Sequence, residues 1–238
     1  MLLRFVSTAD ACALRLVCRE FLAAVTEHPW EDMDTVIVGS LAAWRACFPH
    51  ACCANVNQLM RAAPVVDADF VHFEGLRELD MADCTDVTDA AFVHLRGIHT
   101  LDMSGCSQPA ITDAAFAHLA GIQVLSMMSC AQATITDAAF AHLRGIQMLN
   151  MSSCRQLTDA AFVHLRGIRK LYMWCCDQSA ITDAAFAHLR GIHTLMMMGC
   201  DQATITGSSF SCLKGISELG MVGCDNTAIA TAQSLGLP

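Results

Sequence analysis

Fourteen cysteines and ten histidines stand in a chain of 238 residues. Thiols and imidazoles bind zinc, carry redox chemistry and act as nucleophiles or bases. Their spacing decides among these roles. Seven thiols, Cys84, Cys106, Cys130, Cys154, Cys176, Cys200 and Cys224, recur every 22 or 24 residues, and so do His72, His94, His118, His142, His164 and His188. A zinc site needs several ligands converging on one point at about 2.0–2.3 Å. Residues placed once per period lie along a line instead, and helices that pack about 8–10 Å apart hold successive histidines apart. The histidine column is therefore read as a helix-surface residue copied by duplication. The thiols are read as a structural ladder, one strand spacing of about 4.8 Å apart, each donating weakly to a turn carbonyl. That spacing permits disulfides by Cα distance alone, but one thiol per coil is what repeat geometry requires. Cys175, beside Cys176, points the other way along its strand and is the candidate exposed thiol. No nucleophile motif surrounds any serine, and no phosphate-cradling or dinucleotide loop is present. The expectation is a protein that is not an enzyme and needs neither cofactor nor metal.

Internal repetition supplies the elements that place these columns. The segment TDAAFVHLRGIHTLDMSGC begins at Thr88, with near copies at Thr112, Thr136, Thr158 and Thr182 and worn copies at Thr206 and Val66. These make seven repeats over residues 66–229. Where the step is 22, the two missing residues fall between the cysteine and the next threonine, which marks a loop. In Ile98-x-x-Leu101-x-Met103-x-x-Cys106, Leu101 and Met103 alternate with polar neighbours, as in a half-buried strand. TDAAFVHLRG reads as a helix. Thr88 and Asp89 are N-cap types, Phe92 and Leu95 share a face, and Gly97 suits a C-terminal position with positive φ.

A strand and a helix every 22–24 residues, with L-x-x-L-x-L-x-x-N/C-x-L at the strand, resembles the leucine-rich repeat. Cysteine in place of asparagine, followed by I-T-D, resembles the cysteine-containing subclass of F-box/leucine-rich-repeat proteins. The resemblance implies an α/β solenoid, a horseshoe with a parallel sheet on the concave face and helices on the convex face. Residues 1–34 do not fit the repeat. There Asp10 is a candidate N-cap, Leu14, Val17, Phe21 and Val25 form an apolar stripe, and Pro29 ends the helix. LRLVCREF, preceded by Phe5-Val6-Ser7 and followed by Pro29-Trp30, resembles the second half of an F-box. By that resemblance Leu14, Val17, Cys18, Phe21 and Trp30 would meet the small adaptor subunit of SCF-type ubiquitin ligases. On physical grounds alone, the segment is a cap over the first coil. Residues 35–65 read as a degenerate first coil with a DTVIV strand. A helix follows from Ser40, and in ACCANV the residues Ala51, Ala54 and Val56 align with Ile98, Leu101 and Met103. Residues 230–238 read as a half-repeat that leaves the last coil without a cap.

The helix halves hardly differ between repeats, whereas the outward strand positions do. Alternation sends these positions to the concave face. The first strands carry Glu78, Asp80 and Asp102, while later ones carry Met128, Met148, Tyr172, Trp174, Met196 and Met198. Tryptophan and tyrosine are frequent binding hot spots, and methionine suits adaptable surfaces. The expected partner is a protein, with an apolar anchor over Trp174 and a basic group near Asp80 and Asp102. Apolar residues are 54% of the chain and charged ones 16%, with net charge −9. That charge repels phosphate backbones, so nucleic acid is not the expected partner. No apolar run reaches the 18 residues a membrane span needs. MLLRFV is short and soon meets Asp10 and Arg15, unlike a secretory signal. With one thiol per repeat used in packing, the expected compartment is cytoplasmic or nuclear. The reading is a substrate-recognition subunit of an SCF-type ligase. The alternative is a stand-alone scaffold or decoy with a vestigial F-box.

Overall fold

The computed structural model describes residues 6, 8–30, 37, 40–56 and 64–238. Eight short strands form one parallel sheet in sequence order: β1 (Cys53–Asn55), β2 (Glu78–Asp80), β3 (Thr100–Asp102), β4 (Val124–Ser126), β5 (Met148–Asn150), β6 (Lys170–Tyr172), β7 (Thr194–Met196) and β8 (Glu218–Gly220). The register is constant: Leu79, Leu101, Leu125, Leu149, Leu171, Leu195 and Leu219 stand opposite one another. Ala54 of β1 pairs with Leu79, so the residues aligned by sequence with the first coil extend the sheet by one strand. Most of the DTVIV segment lies outside the described residues; Ile37 within it is buried.

Each coil returns through a helical half shorter than the sequence implies. The TDAAFVHL-type segment is one α-helical turn, followed by a 3₁₀ turn at Val93–Leu95 and Ala117–Leu119 and by a simple turn after Phe162 and Phe186, not one continuous helix. The α turns are α4 (Asp89–Phe92), α5 (Asp113–Phe116), α6 (Asp159–Phe162) and α7 (Asp183–Phe186). Asp137–His142 is 3₁₀ throughout. The reason is width. A full α-helix with side chains is about 10 Å across, whereas adjacent strands are about 4.8 Å apart. A brief turn narrows the convex side and lets the coils stack. The threonine caps are as expected, with Thr88 Oγ1 accepting from Ala90 N at 3.2 Å. Gly97, at φ +82°, turns the chain back toward the sheet. Phe92, Phe116, Phe140, Phe162, Phe186 and Phe210 are fully buried between the layers. Each contributes roughly 2–3 kcal/mol of burial.

The N-terminal segment differs from the single stripe-bearing helix. It is α1 (Thr8–Leu14) and α2 (Arg19–Glu27), interrupted at Arg15–Cys18. Asp10 lies inside the first turn of α1, not at its cap. The cap of α2 is Cys18, whose Sγ accepts from Phe21 N at 3.5 Å. Helix α3 (Leu41–Cys47) starts at Ser40, whose hydroxyl accepts from Ala43 N. At the other end, residues expected to leave the last coil open form α8 (Asn226–Ser234), capped by Asp225. Ala228 and Ala232 are buried under it, so the last coil is covered.

Candidate functional site

The ladder thiols lie where the repeat places them. All seven are buried, and each from the second onward donates to the carbonyl of a methionine one coil back. Cys106 reaches Met81, Cys130 Met103, Cys154 Met127, Cys176 Met151, Cys200 Met173 and Cys224 Met197, at 2.9–3.3 Å. Burial pushes the Cys84, Cys106 and Cys154 thiols up to about 12 and Cys176 to about 11, and raises Cys130, Cys200 and Cys224 as well. Such thiols are not nucleophiles. Cys175 is exposed. Among the described residues no three His, Cys, Asp or Glu side chains come close enough to hold a metal ion.

Two further ladders were not anticipated. Asp89, Asp113, Asp137, Asp159 and Asp183 each accept from the threonine N–H and hydroxyl of the next coil; Asp89 meets Thr112 at 2.7 Å twice. Gln108, Gln132, Gln156, Gln178 and Gln202 donate to the carbonyl of the cysteine one coil back. The signals were present as Thr-Asp and Cys-x-Gln in successive repeats. They mark coil-to-coil cement.

The concave face divides into two regions. Toward the N-terminus its polar groups serve the fold. Asp80 Oδ2 accepts from Asn55 Nδ2 at 2.9 Å and its Oδ1 from Ala82 N; Asp102 Oδ1 accepts from the N–H and hydroxyl of Ser104. The expected pairing of these carboxylates with a partner's basic group thus competes with bonds they already hold. Glu78 is half-buried at the edge of this region. Ser104 meets Ser126 at 2.8 Å, and Asn150 accepts from Ser152 N.

Farther along, the face turns apolar. Tyr172 and Trp174 stand edge-to-face, centroids 6.1 Å apart and planes at 86°. Ser152 Oγ accepts from Trp174 N at 3.0 Å and fixes the backbone there. Trp174 and Met128 remain 37% and 39% exposed. Met148, Met196 and Met198 are half-buried beside them. Val222, in the same outward column as Trp174, is 76% exposed and extends the surface beyond the residues singled out from sequence. Thr194 lies beneath, donating to Glu218 at 3.0 Å.

The F-box-like residues separate. Val17 and Phe21 are 68% and 37% exposed, Leu16 and Leu22 beside them 80% and 46%. Leu14 is half-buried and Cys18 exposed. Trp30 is not a surface residue. It is 2% exposed, donates to Val25 O at 2.9 Å and packs edge-on against Phe48. It is part of the core among the described residues.

No protein-family model matches the sequence, and no curated relative is found for it. Among solved structures, the chain is similar to TLR13 in a TLR13–ssRNA13 complex. The identity is 16%, the match covers 92% of this chain and 33% of that one, and the TM-score is 0.62. The fold is a leucine-rich-repeat horseshoe. Two further similar structures are those of yeast Rad7 with Elc1 (18% identity, 66% of this chain, 44% of that one, TM-score 0.49) and Drosophila Toll with Spatzle (10%, 66%, 31%, TM-score 0.35). The horseshoe spans less than half of each of these chains, and at such identities the likeness is one of fold. Its parallel sheet is open, and its outward face is partly accessible, with Ser104, Ser152 and Thr194 buried within it. Among the described residues no helix is long and apolar enough to cross a membrane.

Proposed function

We propose that the horseshoe is a protein-recognition module whose partner docks over β4–β8 of the concave face. The observation that carries this is the edge-to-face Tyr172–Trp174 pair, with Met196 beside Tyr172 in the sheet register and Met128, Met148 and Met198 at other outward positions of the same face. An aromatic pair that shares a face with adaptable thioethers is costly to leave against water and well suited to an apolar anchor. Trp174→Ala costs about 2 kcal/mol of partner affinity, roughly 30-fold. Trp174→Phe keeps most of it. Co-purification followed by titration measures this. Unchanged affinity in both Trp174→Ala and Met196→Ser places the partner elsewhere.

The finer reading is a substrate-recognition subunit of an SCF-type ubiquitin ligase. Its support is the exposed apolar group Leu16, Val17, Phe21 and Leu22 on the F-box-like segment. The alternative, a stand-alone scaffold or decoy, is favoured by Ala11, Val25 and Trp30, which are buried and make the same segment a cap. A pull-down with the ligase adaptor subunit separates the two. Binding that Val17→Asp abolishes supports the ligase reading; no binding by the folded parent protein leaves the scaffold.

A further inference from the structure

The acidic net charge conceals a segregation of charge. Each strand begins at one rim of the sheet and ends at the other. From residue 118 onward the carboxylates Asp137, Asp159, Asp177, Asp183, Asp201 and Asp225 all follow strand ends, and the exception is Glu218, which opens β8 and accepts from Thr194 Oγ1. Arg155 is on that side too, paired with Asp177 at 3.2 Å. The remaining cations of this stretch, Arg144, Arg166, Arg169, Lys170, Arg190 and Lys214, all lie where chains turn into strands. All six are exposed, and among the described residues none of them forms an ion pair.

Four of them, Arg144, Arg166, Arg190 and Lys214, occupy one repeat position on successive coils, immediately before a glycine of positive φ. The turn therefore presents them in single file. Like charges stacked this way repel one another, and a counter-anion running along the file relieves that repulsion. Between the first two, Arg144, Gly145, Val163, His164 and Arg166 line an open cleft of about 380 Å³. Val163, 44% exposed, supplies an apolar wall beside the two guanidinium groups. Guanidinium forks bind carboxylates in bidentate geometry.

We propose that this rim binds an acidic polypeptide segment, an extended run of carboxylate side chains laid across coils four to seven. An acidic peptide fits better than a nucleic acid. Single-stranded nucleic acid sites pair a cationic groove with aromatic side chains that stack bases, and the cleft beside the file is lined by no Phe, Tyr or Trp, Trp174 being paired with the half-buried Tyr172 among the outward strand positions. The opposite acidic rim would also repel a polyanion wide enough to reach it. The rim proposal does not depend on the concave patch, since the four residues in file are not part of it.

The test is a titration of the full chain with a fluorescently labelled octaglutamate peptide at low salt, read by anisotropy. Saturable binding is expected, weakening as salt rises and the Debye length shrinks. The triple variant Arg144→Glu, Arg166→Glu, Arg190→Glu should bind roughly ten-fold or more weakly, three exposed pairs being lost and their charges reversed. The corresponding triple glutamine variant, which adds no charge, should lose less. Arg155→Glu, on the opposite rim, should bind as the parent does. All three variants are checked for unchanged thermal unfolding. Absence of saturable binding, undiminished binding by both triple variants, or tighter binding of a single-stranded RNA of the same length would overturn the proposal.

Discussion

A buried thiol that donates to a carbonyl one coil back ties its own coil to its neighbour, and the tie holds only while the thiol keeps its proton. Burial raises the ladder thiols from near 9 to about 12 in Cys84, Cys106 and Cys154. In the unfolded chain the same groups ionise near 9. Above that pH the unfolded state therefore holds fewer protons than the folded one, and stability falls as pH rises toward 12. Below 9 the contribution is complete. The slope is about 1.4 kcal/mol per pH unit for each thiol, so several thiols together give a steep alkaline transition. Urea midpoints measured from neutral pH to pH 11 test this, and a flat profile would sink it. Cys154→Ser removes one thiol's share of the slope, since a serine hydroxyl does not ionise in this range. The same burial governs reactivity: an alkylating reagent at pH 8 should label the exposed Cys18 and Cys175 and leave Cys84–Cys224 of the ladder untouched in the folded protein. For these side chains the sequence period was sufficient, because one thiol per coil at an inward strand-end position has only the interior to occupy.

Elements were less legible than residues. The helix half carried the right caps and the right apolar face, yet it became a single short α or 3₁₀ turn with a turn after it, because coil spacing is set by the sheet and not by helix propensity. The stripe Leu14, Val17, Phe21, Val25 fitted one helix. A cysteine cap on Phe21 N starts a second helix at Arg19 and leaves Leu16 and Val17 exposed, and thiol caps have no marked place among N-cap preferences. The Asp-to-Thr ladder escaped notice for another reason. Thr-Asp reads as a local cap, and only the stacking shows that the aspartate serves the following coil. That double role is measurable. Thr158→Val removes the hydroxyl bond to Asp137 at 2.6 Å and the cap to Ala160 N at 3.2 Å. The expected loss is about 1–2 kcal/mol, seen as a lowered urea midpoint. Asp137→Asn, which keeps the threonine cap, should lose less. Equal stability of Thr158→Val and the parent would mean that the ladder contributes nothing.

At the scale of the molecule the solenoid is one-dimensional. Each coil touches only its neighbours, so stability is passed along the chain and the ends decide how much survives. The concave apolar patch and the cationic file both lie in the C-terminal half, where they depend on the last coil being closed. The sequence suggested an open end because IATAQSL matches the repeat poorly. It matches poorly because it is a lid: α8 runs across the last coil, Thr231 Oγ1 donates to Thr206 O at 2.9 Å, and a side chain at Gly207 would meet Thr231 at 2.8 Å. Two changes of different severity probe the lid. Gly207→Ala, strained at φ +85° and crowded by Thr231, should loosen α8 while sparing the coils beneath. Deleting residues 226–238 should expose Phe210 and lower the melting temperature by several degrees, about 4 °C or less per kcal/mol for a chain of this size. Hydrogen exchange gives the sharper readout. Protection should fall most at β8, less at β7, and not measurably at β3, because neighbour-only coupling decays along the stack. Uniform loss from β1 to β8 would instead mean that the solenoid unfolds as one cooperative unit. Unchanged protection at β8 would mean that α8 rests on the last coil without stabilising it.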